Sequence, residues 1–382
     1  MLKNTKVVLF FLFLTTFVSV QAGVVAPKPS APAVAAKSHI LIDYDSGKVL
    51  AAENPDEKLP PASITKLMTS YVVSHELHAG NIALDDEVLI SEKAWRMIGS
   101  RSFIKVNTKV SVEALLRGMI VQSGNDAAVA LAEHIAGSEE VFAQMMNQYA
   151  QQLGMYDTNY MNATGLPDPD HYTTARDIAT LSAALIRDFP EHYEWYAEKE
   201  FTYNEITQHN RNKLLWRDNS VDGLKTGHTE EAGYCLAASA KRGDMRLITV
   251  VLGTRSENAR AQETQKLLNY GFRFFETHQL YQANASITDT KVWKGAQDTL
   301  ALGLAQGLSV TVPRGQYDDL AASTNIQQPV IAPIEAGTQL GEVEIRLGEE
   351  VVAKQPLVAL NAVEQGSWWR RLIDHILLWI WG

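Results

Sequence analysis

"PPASITKLMT", residues 60–69, places Ser63 three positions before Lys66 at the head of an apolar run. Lysine is among the side chains least often fully buried, and burying its charge is costly unless something compensates. Yet Ile64, Leu67, Met68, Tyr71 and Val72 follow the i, i+3, i+4, i+7, i+8 template of a core-facing helix. Residues three apart share a helix face, so Ser63 and Lys66 can touch beside that stripe. Either Lys66 carries its charge out to water, or the pair performs chemistry.

A Ser-x-x-Lys alone proves little, since average frequencies give about one or two by chance in a chain this long. A second stands at Ser102–Lys105, in "RSFIKVN". That stretch has the alternating, β-branched look of a strand, where residues three apart point to opposite faces. Ser63 instead follows Pro60 and Pro61 and opens a helix, where backbone N–H groups are free. Only the first pair is poised to react.

Two further tripeptides follow in order. Ser123-Gly124-Asn125 lies between two apolar helical stretches and should form a turn, and Lys225-Thr226-Gly227 begins an extended segment after Gly223-Leu224. Each arises by chance in about one chain in ten. Both together, behind a helix-start Ser-x-x-Lys, are a specific signal.

The rest of the chain sets bounds. Its 382 residues suffice for two or three domains, and a net charge of −10 argues against a nucleic-acid partner. Lys3 and Lys6, the apolar run "VVLFFLFLTTFVSV" and the small residues of "VQA" have the layout of a secretory signal peptide over 1–22, cleaved after Ala22. An exported chain with one cysteine, Cys235, has no intrachain disulfide to staple it. That cysteine sits in an apolar strand and reads as an inert core residue.

Residues 23–37 are Pro- and Ala-rich, an extended leader. "HILIDYDSGKVLAAEN" reads as two strands about a turn, helices dominate from Pro61 to about Gly137, and 157–172 is rich in turn formers and reads as a long surface loop. After the helix "TARDIATLSAALIRDF" come a second hairpin, "GYCLAASA" to "RLITVVLG", and the helix "ENARAQETQKLLNYGFRFFE". Strands at both ends with helices between predict an α+β domain over 38–276, its sheet joining the two hairpins. Short strands with Gly and Pro turns then predict a small all-β domain over 277–366.

The three motifs together resemble the signature of penicillin-binding proteins and serine β-lactamases. "VDGLKTGHT", "AGYCLAASA", "NRNKLLW", "LLNYGFRFFET" and "VTVPRG" extend the likeness to the D-alanyl-D-alanine carboxypeptidases of the penicillin-binding protein 5/6 family, from about residue 38 onward. The resemblance implies a β-lactamase-like domain with an antiparallel sheet flanked by helices. It also implies peptidoglycan stem peptides ending in D-Ala-D-Ala as substrate, acylation by β-lactam antibiotics, and no cofactor or metal.

Chemistry assigns roles. A serine hydroxyl is a weak nucleophile until a base takes its proton, and Lys66 can do so only when neutral. Burial and a second nearby cation both favour the neutral amine, and Lys225 is the expected cation. The resemblance gives Ser123 the proton relay to the leaving amine and Asn125 the substrate amide, although Asn125 also reads as an N-cap for the following helix. The Ser63 N–H is one oxyanion donor, and by resemblance the His228 N–H, after Gly227, is the second. Thr226, Lys225 and Arg255 are placed to hold the terminal carboxylate, Arg255 provided the hairpin pairs as expected. His75 and His78 lack partners for a metal and read as a solvated face.

The rivals differ in chemistry. A class A β-lactamase deacylates with a glutamate, and loop 157–172 has Asp157, Asp168 and Asp170 but none. A DD-endopeptidase shares every motif, and a non-catalytic wall-binding protein would be free to lose Ser63 or Lys66.

The tail, "GSWWRRLIDHILLWIWG", reads over 367–382 as an amphipathic helix too short and too charged to span a bilayer. Trp368, Trp369, Leu372, Ile373, Ile376, Leu377, Trp379 and Ile380 form a broad apolar face, with Arg370, Arg371, Asp374 and His375 toward the other side. It is expected to lie in the outer surface of the inner membrane, holding an exported enzyme there; the alternative is docking on its own β-domain. Because only Ser63 opens a helix, penicillin should label the peptide containing Ser63. Intact-protein mass spectrometry should show labelling lost in Ser63→Ala and kept in Ser102→Ala.

Overall fold

The computed structural model describes residues 30–381; the expected signal peptide lies outside them. The chain builds a five-stranded antiparallel sheet from its two ends, with the helices supplied between. Strands β1 (Ser38–Asp43) and β2 (Val49–Glu53) form the first hairpin. Strands β3 (Val221–Thr229), β4 (Gly233–Arg242) and β5 (Met245–Thr254) return much later, giving the order β2-β1-β5-β4-β3. β1 pairs with β5 from Ser38↔Leu252 to Asp43↔Leu247, so the two hairpins join as the alternation predicts.

Alternation also divides the core. Ile40, Ile248, Val250 and Cys235 face one side of the sheet, while Leu41, Leu236, Leu247 and Val251 face the other. The first side is covered by α1 (Lys66–His78), α2 (Val112–Gln122), α3 (Asn125–Ala136), α4 (Glu139–Gln152) and α5 (Ala175–Asp188). The second receives α6 (Glu257–Phe274), which starts where the Ser256 side chain accepts the Ala259 N–H. Part of the expected leader is docked: Val34 is buried in this second core, and the Lys37 N–H bonds Leu252 O.

Two expectations change. Residues 101–107 form no strand, because the Asp126 carboxylate accepts the Ser102 and Ile104 N–H groups that a neighbouring strand would have taken. The alternation survives, with Ser102 buried and Lys105 exposed, so the two still point apart. Loop 157–172 is partly inside: Thr158, Tyr160, Ala163, Thr164 and His171 are buried. His171 Nε2 lies 3.0 Å from Thr65 Oγ1, and Thr69 Oγ1 donates to Ala163 O at 2.7 Å, so the loop's turn formers bend it against α1.

From α6 the chain passes into β6 (Phe275–Tyr281), β7 (Ser286–Trp293), β8 (Thr299–Gly303), β9 (Leu308–Pro313), β10 (Leu320–Ile326), β11 (Val330–Ile331), β12 (Gln339–Leu347) and β13 (Glu350–Ala359). Six of these form the sheet β10-β12-β13-β8-β7-β11, and β6 pairs with β9. This all-β unit has its own core, including Val292, Leu302, Val310, Val343 and Leu357. Hydroxyls join the units: Thr277 Oγ1 donates to Asp43 Oδ2 at 2.6 Å, and Thr311 Oγ1 lies 2.5 Å from Ser46 Oγ.

The tail is a helix, α7 (Trp368–Trp381), docked through its polar side. Asp374 accepts the Lys294 N–H, Arg370 pairs with Asp298, and His375 Nδ1 meets Lys294 Nζ, all on the turn between β7 and β8. Trp368, Trp369, Ile373, Ile376, Trp379 and Ile380 are left facing outward, Trp379 at 85 % exposure. No helix among the described residues is long and apolar enough to cross a membrane.

Candidate active site

Ser63 sits in a single 3-10 turn, Ala62–Thr65, and Lys66 is the first residue of α1. A 3-10 turn eclipses residues i and i+3, bringing Lys66 Nζ to 3.1 Å from Ser63 Oγ. Lys66 Nζ also lies 2.7 Å from Asn125 Oδ1 and 2.5 Å from Thr164 O. Both latter atoms only accept. As an ammonium Lys66 donates to all three oxygens; as a neutral amine it keeps the Asn125 and Thr164 bonds and frees a lone pair for the Ser63 hydroxyl. The geometry therefore suits a base.

Electrostatics agrees. Burial first, then the Arg211 charge, lowers the Lys66 pKa to about 7, while Asp126 and Glu139 pull back. Lys225, fully buried on β3, is driven well below the usual lysine range by burial, then by Lys66, Arg211 and Arg260. Two coupled ammonium groups favour giving up a proton. Arg211 adds its charge to the burial that lowers Lys66, and Lys66 and Lys225 disfavour each other's charge.

A cavity of about 390 Å³ opens over this pair, bounded by Ser63, Ser123, Asn125, Thr164–Leu166 and the edge-strand residues Thr226–Thr229. Ser123 holds the left-handed conformation, φ 70°, that ends α2, and its buried Oγ has no hydrogen-bond partner among the described residues. Asn125 does not cap α3: Gly124 is the N-cap, and the amide spans Lys66 and Ile98 O, to which it donates at 2.6 Å. Gly165, φ 81°, lies so close to the nucleophile's turn that a Cβ would meet Ala62 O at 1.8 Å. Only glycine fits there.

The cationic end differs from expectation. Arg255 is exposed beyond the end of β5 and does not line the cavity. Arg211 and Arg260 do; Arg260 is buried and donates to Gly227 O at 3.1 Å. One helical turn into α6 carries Arg260 inward, whereas Arg255 precedes the Ser256 cap. The His228 ring is exposed and stacks on Tyr234, centroids 3.9 Å apart. His75 bonds the Tyr149 hydroxyl at 2.8 Å instead of facing only solvent, and no metal-binding cluster occurs among the described residues.

The match to known proteins follows this geometry. Residues 25–256 match the family model described as D-alanyl-D-alanine carboxypeptidase, and residues 275–365 match the C-terminal domain of penicillin-binding protein 5. The chain belongs to the D-alanyl-D-alanine carboxypeptidase family. It is 46 % identical over 356 residues to D-alanyl-D-alanine carboxypeptidase DacC of Escherichia coli (strain K12), covering 91 % of this chain and 89 % of that one. The structure of penicillin binding protein 5 from Haemophilus influenzae superposes with a TM-score of 0.86 at 43 % identity, over 88 % of this chain and 100 % of that chain. Penicillin-binding protein D2 from Listeria monocytogenes, solved in its ampicillin-bound form, has a TM-score of 0.59 at 30 % identity, over 64 % of this chain and 100 % of that one.

Within this family fold, the carbonyl of Thr164 and the guanidinium groups of Arg211 and Arg260 carry site geometry that the sequence did not single out. A backbone carbonyl leaves no side-chain signal. Arg211 lies within "NRNKLLW" and Arg260 one turn into α6, and neither belongs to a motif. With Lys66 titrating at about 7, the acylation rate by penicillin should rise tenfold per pH unit below 7 and level off above it. Stopped-flow acylation from pH 5 to 9 checks this. Lys66→Arg, which stays charged, should be nearly inactive throughout.

Proposed function

We propose that Ser63, Lys66 and Ser123 carry out D-alanyl-D-alanine carboxypeptidase chemistry on peptidoglycan stem peptides. The observation that carries this reading is the Lys66 amine held between two acceptor oxygens with Ser63 Oγ at 3.1 Å. Lys66 takes the Ser63 proton as Oγ attacks the penultimate D-Ala carbonyl. The oxyanion receives the N–H groups of Ser63 and His228; β3 is the sheet edge, where every second N–H is free of the sheet. The C–N bond then breaks as the proton passes from Lys66 through Ser123 to the departing D-Ala nitrogen. Water hydrolyses the Ser63 ester and regenerates the enzyme.

Thr226, Gly227 and Lys225 form the wall for the terminal residue, and Arg211 and Arg260 supply the charge for its carboxylate. Asn125, besides orienting Lys66, faces the substrate amide. β-Lactams, carrying a strained amide and a carboxylate, enter the same site. Release of a penicilloyl group is slow, because loop 157–172 carries no glutamate to direct a water at the ester. Residues 38–276 form the catalytic domain and 277–366 a β-domain spacer. α7 lies in the periplasmic face of the inner membrane, since its outward Trp and Ile side chains suit the interface and its polar side is already engaged.

Incubation with a soluble peptide ending in D-Ala-D-Ala should release D-alanine, and Ser63→Ala should lower that rate about 10⁴-fold or more. A folded wild-type protein that releases none overturns the reading. Deleting residues 367–382 should move the protein from the membrane pellet to the soluble fraction with kcat/KM on soluble peptide unchanged. Pelleting of the truncated chain would refute the anchor.

A further inference from the structure

The wall beside Asn125 is built by residues 98–104, a segment pinned at several points. Ile98 O accepts the Asn125 amide at 2.6 Å, Ser100 O the Asn125 N–H at 2.7 Å, and Asp126 holds the Ser102 N–H at 2.8 Å. From outside, Gln208 donates to Arg101 O at 3.1 Å. Gly99 and Ser100 line the cavity itself.

What this rigid segment shows to solvent is unusual. Ile98 is 71 % exposed and Phe103 44 %. Phe103 sits at φ 61°, the left-handed region that a bulky side chain rarely adopts. The Arg101 guanidinium lies 5.6 Å from the Phe103 ring centroid. Arg101 takes part in none of the ion pairs among the described residues, whereas nearby Arg96 is paired with Glu92. A strained backbone thus sets out an apolar surface and an unpaired cation on the segment whose Gly99 and Ser100 line the cavity.

The proposed reaction says what passes there. With the terminal carboxylate held by Thr226 and Arg260, the peptide on the other side of the scissile carbonyl leaves past Asn125 and hence over Gly99 and Ser100. We propose that Ile98, Arg101 and Phe103 form a subsite for the stem peptide, selecting stems whose third residue carries a free side-chain carboxylate. Arg101 pairs with that carboxylate while Ile98 and Phe103 cover its aliphatic chain. This rests on the carboxypeptidase reading above.

The test uses two soluble pentapeptides ending in D-Ala-D-Ala, with meso-diaminopimelate or L-lysine third. The wild-type full chain should favour the diaminopimelate peptide about fivefold in kcat/KM, mostly through KM, as suits an exposed ion pair. Arg101→Gln should abolish the preference by weakening that peptide alone, Arg101→Lys should retain part of it, and penicillin acylation should be unchanged in both. Equal wild-type rates on the two peptides, or a preference that survives Arg101→Gln, would overturn the subsite while leaving the carboxypeptidase reading intact. No D-alanine from either peptide would overturn both.

Discussion

The proposed chemistry depends on keeping one amine dry and easily deprotonated. Near pH 7 the lowered pKa of Lys66 costs the fold about 4 kcal/mol relative to an unfolded lysine, a large part of a typical domain's net stability. That cost grows as pH falls toward 7 from the ordinary lysine range and is constant below it. Two cores must offset it: the helical layer on one face of the sheet and α6 on the other. The loop carrying Thr164 closes the remaining side, and Gly165 allows it to approach the nucleophile's turn.

The site is assembled from four separate stretches, each held by a different device. The 3-10 turn sets the Ser63–Lys66 distance, and a left-handed residue turns Ser123 inward between α2 and α3. An edge strand delivers Lys225–His228, and a capped helix turns Arg260 into the cavity. None of these needs a metal or a disulfide. Instead each is fixed by backbone geometry within a packed element, which suits groups that must be in position before charge develops.

The order of elements, the joining of the hairpins and the meeting of Ser63 with Lys66 were legible because periodicity and helix position report directly on faces. Lys225 and Ser123 were legible as members of motifs. Arg255 was misplaced because a sequence shows which arginine is near the strand end but not where a helix cap turns the chain. The partial burial of 157–172 was hidden for a related reason: turn formers mark where a chain bends, not what it bends against. The strand expected at 101–107 failed because one buried carboxylate, Asp126, supplied the acceptors that a neighbour's backbone would have given.

On the proposed anchoring, α7 gives the tail two attachments with opposite responses to the medium. Its grip on the β7–β8 turn relies on ionic contacts such as Arg370 with Asp298, whose carboxylate side is 85 % exposed. Exposed ionic contacts of this kind weaken as salt is added. Its outward tryptophans and isoleucines depend on apolar burial, which salt does not weaken. On that anchoring the helix at low ionic strength is a rigid foot for the body above it. At high ionic strength the foot becomes an ankle: the helix stays where it is buried, and the body above it is free to swing.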